Sequence, residues 1–98
     1  MLEVGVNFFM FMRIKTIKEF ERTCLKFNDY YIIDKNDSFR FPLSSKFWND
    51  LIGKEIEAQE EGYYTNQGIK HKLYKIKDVH VPYWFFSEHK EKKGIEIE

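Results

Sequence analysis

The fold is decided by FWNDLIGKEIE, residues Phe47–Glu57, where a helical spacing of apolar side chains changes to an alternating one at Gly53. Just upstream, Ser44 or Ser45 can accept a hydrogen bond from the free amides of a helix start. Gly53 suits the left-handed conformation in which many helices end. After it, apolar Ile56 alternates with charged neighbours, so we expect a strand that turns one face to the core.

A second helix is expected nearer the N-terminus. Thr16 and Glu19 have the spacing of a capping box, in which each side chain accepts a hydrogen bond from the other residue's backbone amide. This spacing predicts a helix over 17–25 that packs on the sheet. The residues that follow predict a strand over 27–33, a turn over 34–38 and a returning strand over 39–41.

The second half of the chain consists of short apolar runs separated by Gly, Asn and Asp. Such a succession is typical of small barrels. We therefore expect an α+β, mainly β fold, in which a small barrel of about five strands carries a short N-terminal helix packed on it. The expected elements here are a turn at 60–62, a short strand at 63–64, a turn at 66–68, a strand over 69–78 and a last apolar strand over 83–86.

Length and charge limit the class of protein. The 98 residues suffice for one domain with one core. Within it we expect a leader or edge strand over 1–11, a strand and helix over 12–26, the barrel over 27–88 and a charged tail over 89–98. Lysine plus arginine number 16, as do aspartate plus glutamate. The protein as a whole therefore does not attract nucleic acid, and a nucleic-acid role needs a local patch.

Cys24 is the only cysteine. One cysteine allows no intrachain disulfide and no zinc site built from several thiolates. We expect Cys24 to be a small buried side chain on the helix. Cysteine usage of this kind fits a reducing compartment, so the predicted location is cytoplasmic.

The N-terminal segment is apolar but short. Residues 1–12 begin acidic rather than basic and have no small-residue cleavage pattern, unlike a signal peptide. They are also shorter than the roughly 20 residues that a membrane-spanning helix needs, so no membrane partner is predicted. Two interpretations stay open, an edge strand or an upstream extension of a protein that starts at Met10 or Met12.

Several local features occur in a recognisable order. They are Arg13-Ile14-Lys15, a short capped helix through Phe20, then Phe47 and Leu51-Ile52-Gly53-Lys54 before Ile56, and a strand with Tyr74 before Trp84-Phe85-Phe86. This order resembles small, mostly uncharacterised bacteriophage and prophage proteins that share an SH3-like barrel, over about residues 12–90. The insert over 65–72 and the leader before Met12 depart from it. The resemblance implies an SH3-like fold and a phage protein in the host cytoplasm, and it implies no particular activity.

No set of residues points to catalysis, a metal or a cofactor. The carboxylates that follow Gly53 have the spacing of the solvent-exposed side of a strand and its turn. We expect them to pair across strands with Lys75 and Lys77. Histidines nine residues apart invite a metal, but nothing makes them converge, so we expect exposed or singly hydrogen-bonded side chains. The residues in question are Glu55, Glu57, Glu60, Glu61, His71, His80 and His89.

Aromatic residues are in excess and come in adjacent pairs. Neighbours on a strand point to opposite faces, so one member of each pair is expected to leave the barrel interior. It is then covered by the N-terminal helix or segment, or it forms an exposed binding patch with lysines nearby. The pairs lie at 30–31, 63–64, 83–84 and 85–86, and the predicted binding residues are Tyr31, Tyr64, Tyr83, Trp84, Lys72, Lys75 and Lys77.

Three functions follow as hypotheses. The first is a phage-type binding module that engages a host protein and redirects or inhibits it, because aromatic residues are in surplus and no catalytic set is present. The second is nucleic-acid binding, with bases stacked on Tyr64 and Tyr74 and phosphates held by the lysines. The third is a toxin-like ribonuclease that uses Arg40, Glu57 or His71, on fold analogy alone.

Overall fold

The computed structural model describes residues 9–87, so the expectations for 1–8 and for the charged tail with His89 lie outside the described residues. The fold is α+β and mostly β, as predicted. Its elements are β1 (Met10–Arg13), α1 (Ile17–Thr23), β2 (Leu25–Phe27), β3 (Tyr30–Ile32), β4 (Phe41–Pro42), α2 (Lys46–Asn49), β5 (Glu55–Asn66), β6 (Ile69–Ile76), β7 (Val79–Pro82) and one turn of 3-10 helix (Tyr83–Phe85). The strands form two antiparallel sheets, in the orders β1-β5-β6-β7 and β2-β3-β4.

Helix α2 begins at one of the two predicted caps and is followed by the predicted glycine. The Ser45 hydroxyl accepts a hydrogen bond from the Trp48 amide at 3.5 Å, and Gly53 has a φ of +75°. Strand β5 then buries Ile56 and Ala58 while the glutamates between and beside them face outward. The predicted change from helical to alternating spacing is confirmed.

Helix α1 carries the predicted capping box. Thr16 Oγ1 accepts from the Glu19 amide at 3.2 Å, and Glu19 Oε1 accepts from the Thr16 amide at 2.9 Å. The helix places Phe20 in the core, where its ring stacks on Tyr31 at 5.1 Å between centroids. The predicted end of the helix and the predicted burial of Cys24 are wrong. Because β2 starts at the next residue, Cys24 is extended (φ −132°), ends the helix and is half-buried.

The single strand predicted over 27–33 is also wrong. Strands β2 and β3 form a hairpin in this region, and its turn is Asn28-Asp29. Asn28 has a φ of +51°, a left-handed conformation that asparagine tolerates better than most residues. A local turn therefore divides what reads in the sequence as one apolar run.

Two aspartates shape the loop after β3, where a turn was predicted and is confirmed. Asp34 Oδ1 accepts from the Asn36 amide at 2.8 Å, and Asp37 Oδ1 accepts from the Phe39 amide at 2.9 Å. These bonds let each aspartate hold the backbone two residues ahead. The returning strand starts later than predicted, at Phe41.

Gly62 bends strand β5 instead of ending it. The turn predicted over 60–62 is wrong, because β5 continues to Asn66 with a shift of register between Glu60 and Tyr63. Gly62 has a φ of +85°, and a glycine in that conformation accommodates the extra residue of a β-bulge. The hairpin turn predicted at 66–68 is confirmed.

Strand β6 is shorter than the predicted strand over 69–78. It ends at Ile76, since Lys77 and Asp78 form a two-residue turn, with φ of +42° and +71°, that sends the chain back as β7. Tyr74 and Ile76 share one side of the strand and face the core, with 5% and 1% of their surfaces exposed. The hypothesis that bases stack on Tyr74 therefore finds that ring buried.

The strand predicted over 83–86 is a 3-10 turn followed by a bridge. Trp84, Phe85 and Phe86 are all buried, whereas a strand with one face in solvent would expose at least one of three consecutive rings. Phe86 bridges Ile14, with hydrogen bonds from Lys15 N to Phe85 O at 2.9 Å and from Ser87 N to Arg13 O at 2.8 Å on either side. The two ends of the described chain are therefore joined.

One core lies under the two sheets and helix α1. Its rings contact one another closely, with Phe41 at 4.4 Å from Phe20 and 5.1 Å from Phe85. Over residues 9–87 the strands form these two sheets and no closed barrel. Neither helix in this part of the chain has the length and apolar character to cross a membrane.

Candidate binding site

Four half-buried rings form a continuous row on the surface, which we call the aromatic row: Phe39, Tyr64, His71 and Tyr83. Phe39 lies 4.6 Å from Tyr64 between centroids. His71 lies between the two tyrosines, 4.9 Å from Tyr64 and 5.7 Å from Tyr83, with interplanar angles of 22° and 8°. Tyr64, His71 and Tyr83 are stacked, whereas Phe39 is tilted by 53° against Tyr64. Part of each ring is exposed to solvent.

Three different elements supply the row. Tyr64 and His71 are directly opposite in the β5–β6 hairpin, so their side chains leave the same face of the sheet. Tyr83 is the first residue of the 3-10 turn that follows β7. Phe39 comes from the loop after β3, where the hydrogen bond from its amide to Asp37 fixes the backbone.

A buried hydrogen-bond chain holds the centre of the row. The Tyr64 hydroxyl donates to Asp37 Oδ2 at 2.8 Å and accepts from Trp84 Nε1 at 3.3 Å. Asp37 and Trp84 are only 6% and 2% exposed. Burial, reinforced by the hydrogen bond to Asp37, raises the pKa of the Tyr64 phenol well above its ordinary range. The hydroxyl therefore stays protonated and keeps donating at any physiological pH.

A second hydrogen bond ties the same loop to the hairpin tip. Asp34 Oδ2 accepts from Asn66 Nδ2 at 3.3 Å. The loop after β3 is thus fixed to strand β5 at two points, through Asp34 and through Asp37. Rings held in this way lose little conformational freedom on binding, which is the property that makes rigid aromatic groups effective at interfaces.

The structure brings two of the four predicted aromatic binding residues together. Tyr64 and Tyr83 both belong to the aromatic row. Tyr31 is 1% exposed and stacked on Phe20, so it belongs to the core. Trp84 is also buried, and it contacts the aromatic row through its indole N–H, which donates to the Tyr64 hydroxyl.

The predicted lysines lie on two other surfaces. Lys72 is opposite Tyr63 in the hairpin, and its side chain therefore leaves the sheet on the face opposite Tyr64. Lys75 and Lys77 line an open groove of ≈ 520 Å³, which we call the phenylalanine groove. Its other lining residues are Phe9, Ile56, Glu57, Gln59 and Asp78.

The two histidines within residues 9–87 and the residues considered for a ribonuclease lie in separate surroundings. His80 Nε2 is 2.6 Å from Glu61 Oε1, whereas His71 is inside the aromatic row. Arg40 places its guanidinium 4.6 Å from the centre of the Tyr30 ring, and Glu57 lines the phenylalanine groove. Within 9–87, no three His, Cys, Asp or Glu side chains are grouped as metal ligands would be.

Comparison with known proteins adds no relative. No protein-family model, no curated protein and no solved structure matches the chain. The resemblance to phage proteins therefore stays a hypothesis.

Sequence reasoning missed Phe39, Asp37 and Tyr63, and it did not consider His71 as part of an aromatic binding surface. The first two were indicated by the Asp-Ser-Phe spacing of an aspartate turn, which fixes the backbone of the third residue. Tyr63 was indicated only as a member of the pair with Tyr64. Because the bulge at Gly62 sets which of the two tyrosines faces which side, the choice between them could not be read from the pair itself.

Proposed function

We propose that this protein is a small phage-type binding module with an SH3-like barrel, located in the host cytoplasm, and that it engages and inhibits a host protein through the aromatic row. The observation that carries the proposal is the row itself: three stacked rings and a fourth tilted against them, all half-exposed, with Tyr64 held by hydrogen bonds to Asp37 and Trp84. Aromatic groups that are rigid and partly exposed are enriched at protein interfaces.

The order of the strands supports the SH3-like barrel. Strands β5, β6 and β7 form a meander beside β1, and a 3-10 turn follows β7. The chain then returns to β1 through the bridge between Phe86 and Ile14. A meander whose last segment returns to its first strand is the arrangement from which small barrels are built. The phage setting is supported by the motifs from Arg13 to Phe86, whose order resembles that of phage and prophage proteins.

The aromatic row favours a polypeptide partner over a nucleic acid. Bases stack on tyrosines whose ring faces are open. The Tyr64 ring contacts both His71 and Phe39, its hydroxyl donates to Asp37 and accepts from Trp84, and Tyr74 is 5% exposed. The two tyrosines considered for base stacking therefore have structural roles in this fold.

The test is retention of host proteins from a bacterial lysate by the immobilised protein and by the variant His71→Ala. Removing the middle ring separates Tyr64 from Tyr83 without touching the buried core, so we expect the variant to fold and to lose specifically retained proteins. Circular dichroism and a thermal melt establish that it is folded.

The matched control is Phe27→Ala, which removes a ring that is 39% exposed on β2. It should retain what the wild-type protein retains, in the same amount. The proposal is overturned if the wild type retains nothing reproducibly, or if the two variants lose the retained protein equally while both are folded.

A further inference from the structure

A second surface, on the opposite face of the β5–β6 hairpin, has a different chemistry from the aromatic row. An open cleft of ≈ 340 Å³ lies there, and we call it the lysine cleft. Its lining residues are Glu60, Gly62, Tyr63, Lys70 and Lys72.

The hairpin register explains why these residues meet. Tyr63 is opposite Lys72, and Thr65 is opposite Lys70, so the tyrosine and both lysines leave the same face. Gly62 leaves that part of the cleft without a side chain, and a Cβ built on it would meet no atom within 4 Å. The bulge thus creates both the opening and the alignment.

The cleft has an excess of positive charge. Two lysines face one carboxylate, and that carboxylate is only loosely engaged, with Lys72 Nζ 3.6 Å from Glu60 Oε2 and both side chains half-exposed. Lys70 Nζ lies 4.5 Å from the centre of the Tyr63 ring, a cation–π contact rather than an ion pair. The other nearby acid, Glu61, is engaged by His80. An incoming anion can therefore bind Lys70 and compete with Glu60 for Lys72.

The exposed ring decides which anion fits. Tyr63 is 56% exposed, and Lys70 is the only cation or ring in contact with it among residues 9–87. Lys70 Nζ covers one face of this ring, so a base would stack on the other face. An exposed aromatic ring beside two ammonium groups is the combination that binds a base by stacking and its phosphate by charge. An acidic peptide would use the lysines alone.

We propose that the lysine cleft binds one nucleotide of a single-stranded nucleic acid, with the base on Tyr63 and the phosphates on its two sides held by Lys70 and Lys72. This site is independent of the aromatic row. Since one or two phosphates are engaged, the logarithm of the binding constant should fall with the logarithm of salt concentration at a slope of only about −0.7 to −1.4.

The experiment is fluorescence anisotropy of a labelled oligothymidylate at low ionic strength, followed by a salt titration. Tyr63→Ala should weaken binding about fivefold or more, the effect of removing one stacked base. Lys70→Gln should weaken binding and reduce the salt slope by about one half. Lys46→Gln, which removes one exposed lysine from α2, is the matched control and should change neither quantity.

Three results would overturn the proposal. One is no saturable binding by the wild type at low salt. Another is equal weakening by Lys70→Gln and Lys46→Gln, which would indicate a diffuse charge effect. The last is an unchanged affinity in Tyr63→Ala together with equally tight binding of poly-glutamate, which would assign the cleft to acidic peptides instead.

Discussion

At the scale of single residues, a two-point ion pair joins Arg13 to Glu19. The guanidinium donates to the two carboxylate oxygens at 2.9 and 2.8 Å, and Ser87 Oγ donates to the same carboxylate at 3.3 Å. The contact thus joins strand β1, helix α1 and the last described residue. Paired, charge-assisted hydrogen bonds of this kind are stronger than neutral ones. Mainly because of the hydrogen bonds from Arg13, the pKa of Glu19 falls from its ordinary 4.5 to about 2.

This pKa predicts a loss of stability in acid. The folded-state pKa lies below the unfolded one, so the contribution of Glu19 is present above about pH 4.5 and is lost as the pH falls towards 2. We expect it to amount to roughly 1–3 kcal/mol, measured as the free energy of unfolding in urea at a series of pH values. In Glu19→Gln this part of the pH dependence should disappear.

The control for this effect is Glu21→Gln, which removes a carboxylate from the exposed side of the same helix. It should retain the wild-type pH dependence. If the free energy of unfolding falls with pH in the same way in Glu19→Gln, Glu21→Gln and the wild type down to pH 2, the pairing of Glu19 with Arg13 contributes nothing to folding.

At the scale of elements, the β6–β7 hairpin contains a residue poorly suited to its conformation. Both turn residues have positive φ, +42° at Lys77 and +71° at Asp78, as in the tight two-residue turns that favour asparagine first and glycine second. A lysine in the left-handed region is strained because its Cβ approaches the following carbonyl oxygen. The hairpin therefore forms in spite of its first turn residue.

We predict that Lys77→Asn stabilises the protein by about 0.5–1 kcal/mol, because asparagine tolerates the left-handed conformation. The measurement is the urea midpoint at constant slope. Lys77→Gln removes the same charge while keeping an unbranched side chain, so it should give no gain, and Lys77→Val should lower the midpoint. Equal gains for Asn and Gln would mean that charge, not backbone strain, limits this turn.

At this scale the sequence predicts best the features that depend on residues close together in the chain. The cap at Ser45 and the box between Thr16 and Glu19 involve groups three residues apart, and both are found as expected. Gly62 was predicted to lie in a turn. Both a turn and a β-bulge use a glycine with positive φ, so the glycine alone does not distinguish them. The turn at Lys77-Asp78 contains no glycine and was missed.

The remaining errors depend on the tertiary structure. Four aromatic residues over 83–86 read as a strand, but consecutive rings are buried because the core receives them from a 3-10 turn. For the site, Tyr64 and Tyr83 were predicted and found on the surface, whereas Tyr31 is held in the core by Phe20. Which ring of a pair is outside depends on register, and register is set by contacts between distant strands.

At the scale of the whole molecule, the two sheets differ in how they are secured. Beside the larger sheet, an isolated bridge joins Ile14, which follows β1, to Phe86, which follows the 3-10 turn, and both residues are buried in the core. The smaller sheet has strands of two or three residues, and all residues of its edge strand β2 are exposed. Short strands with exposed backbone open locally at low cost, whereas a buried bridge between distant segments breaks only when the molecule unfolds.

This difference predicts two classes of amide in native-state hydrogen exchange. The amide of Lys15, bonded to Phe85 O at 2.9 Å, should exchange with the free energy of global unfolding. The amide of Leu43, bonded to Asp29 O at 2.7 Å, should exchange at a free energy lower by about 1–2 kcal/mol and with little dependence on denaturant. The two hydrogen bonds are similar in length, so bond geometry alone does not account for such a gap. If both amides exchange at the same free energy and with the same denaturant dependence, the smaller sheet unfolds together with the core and the molecule is a single cooperative unit.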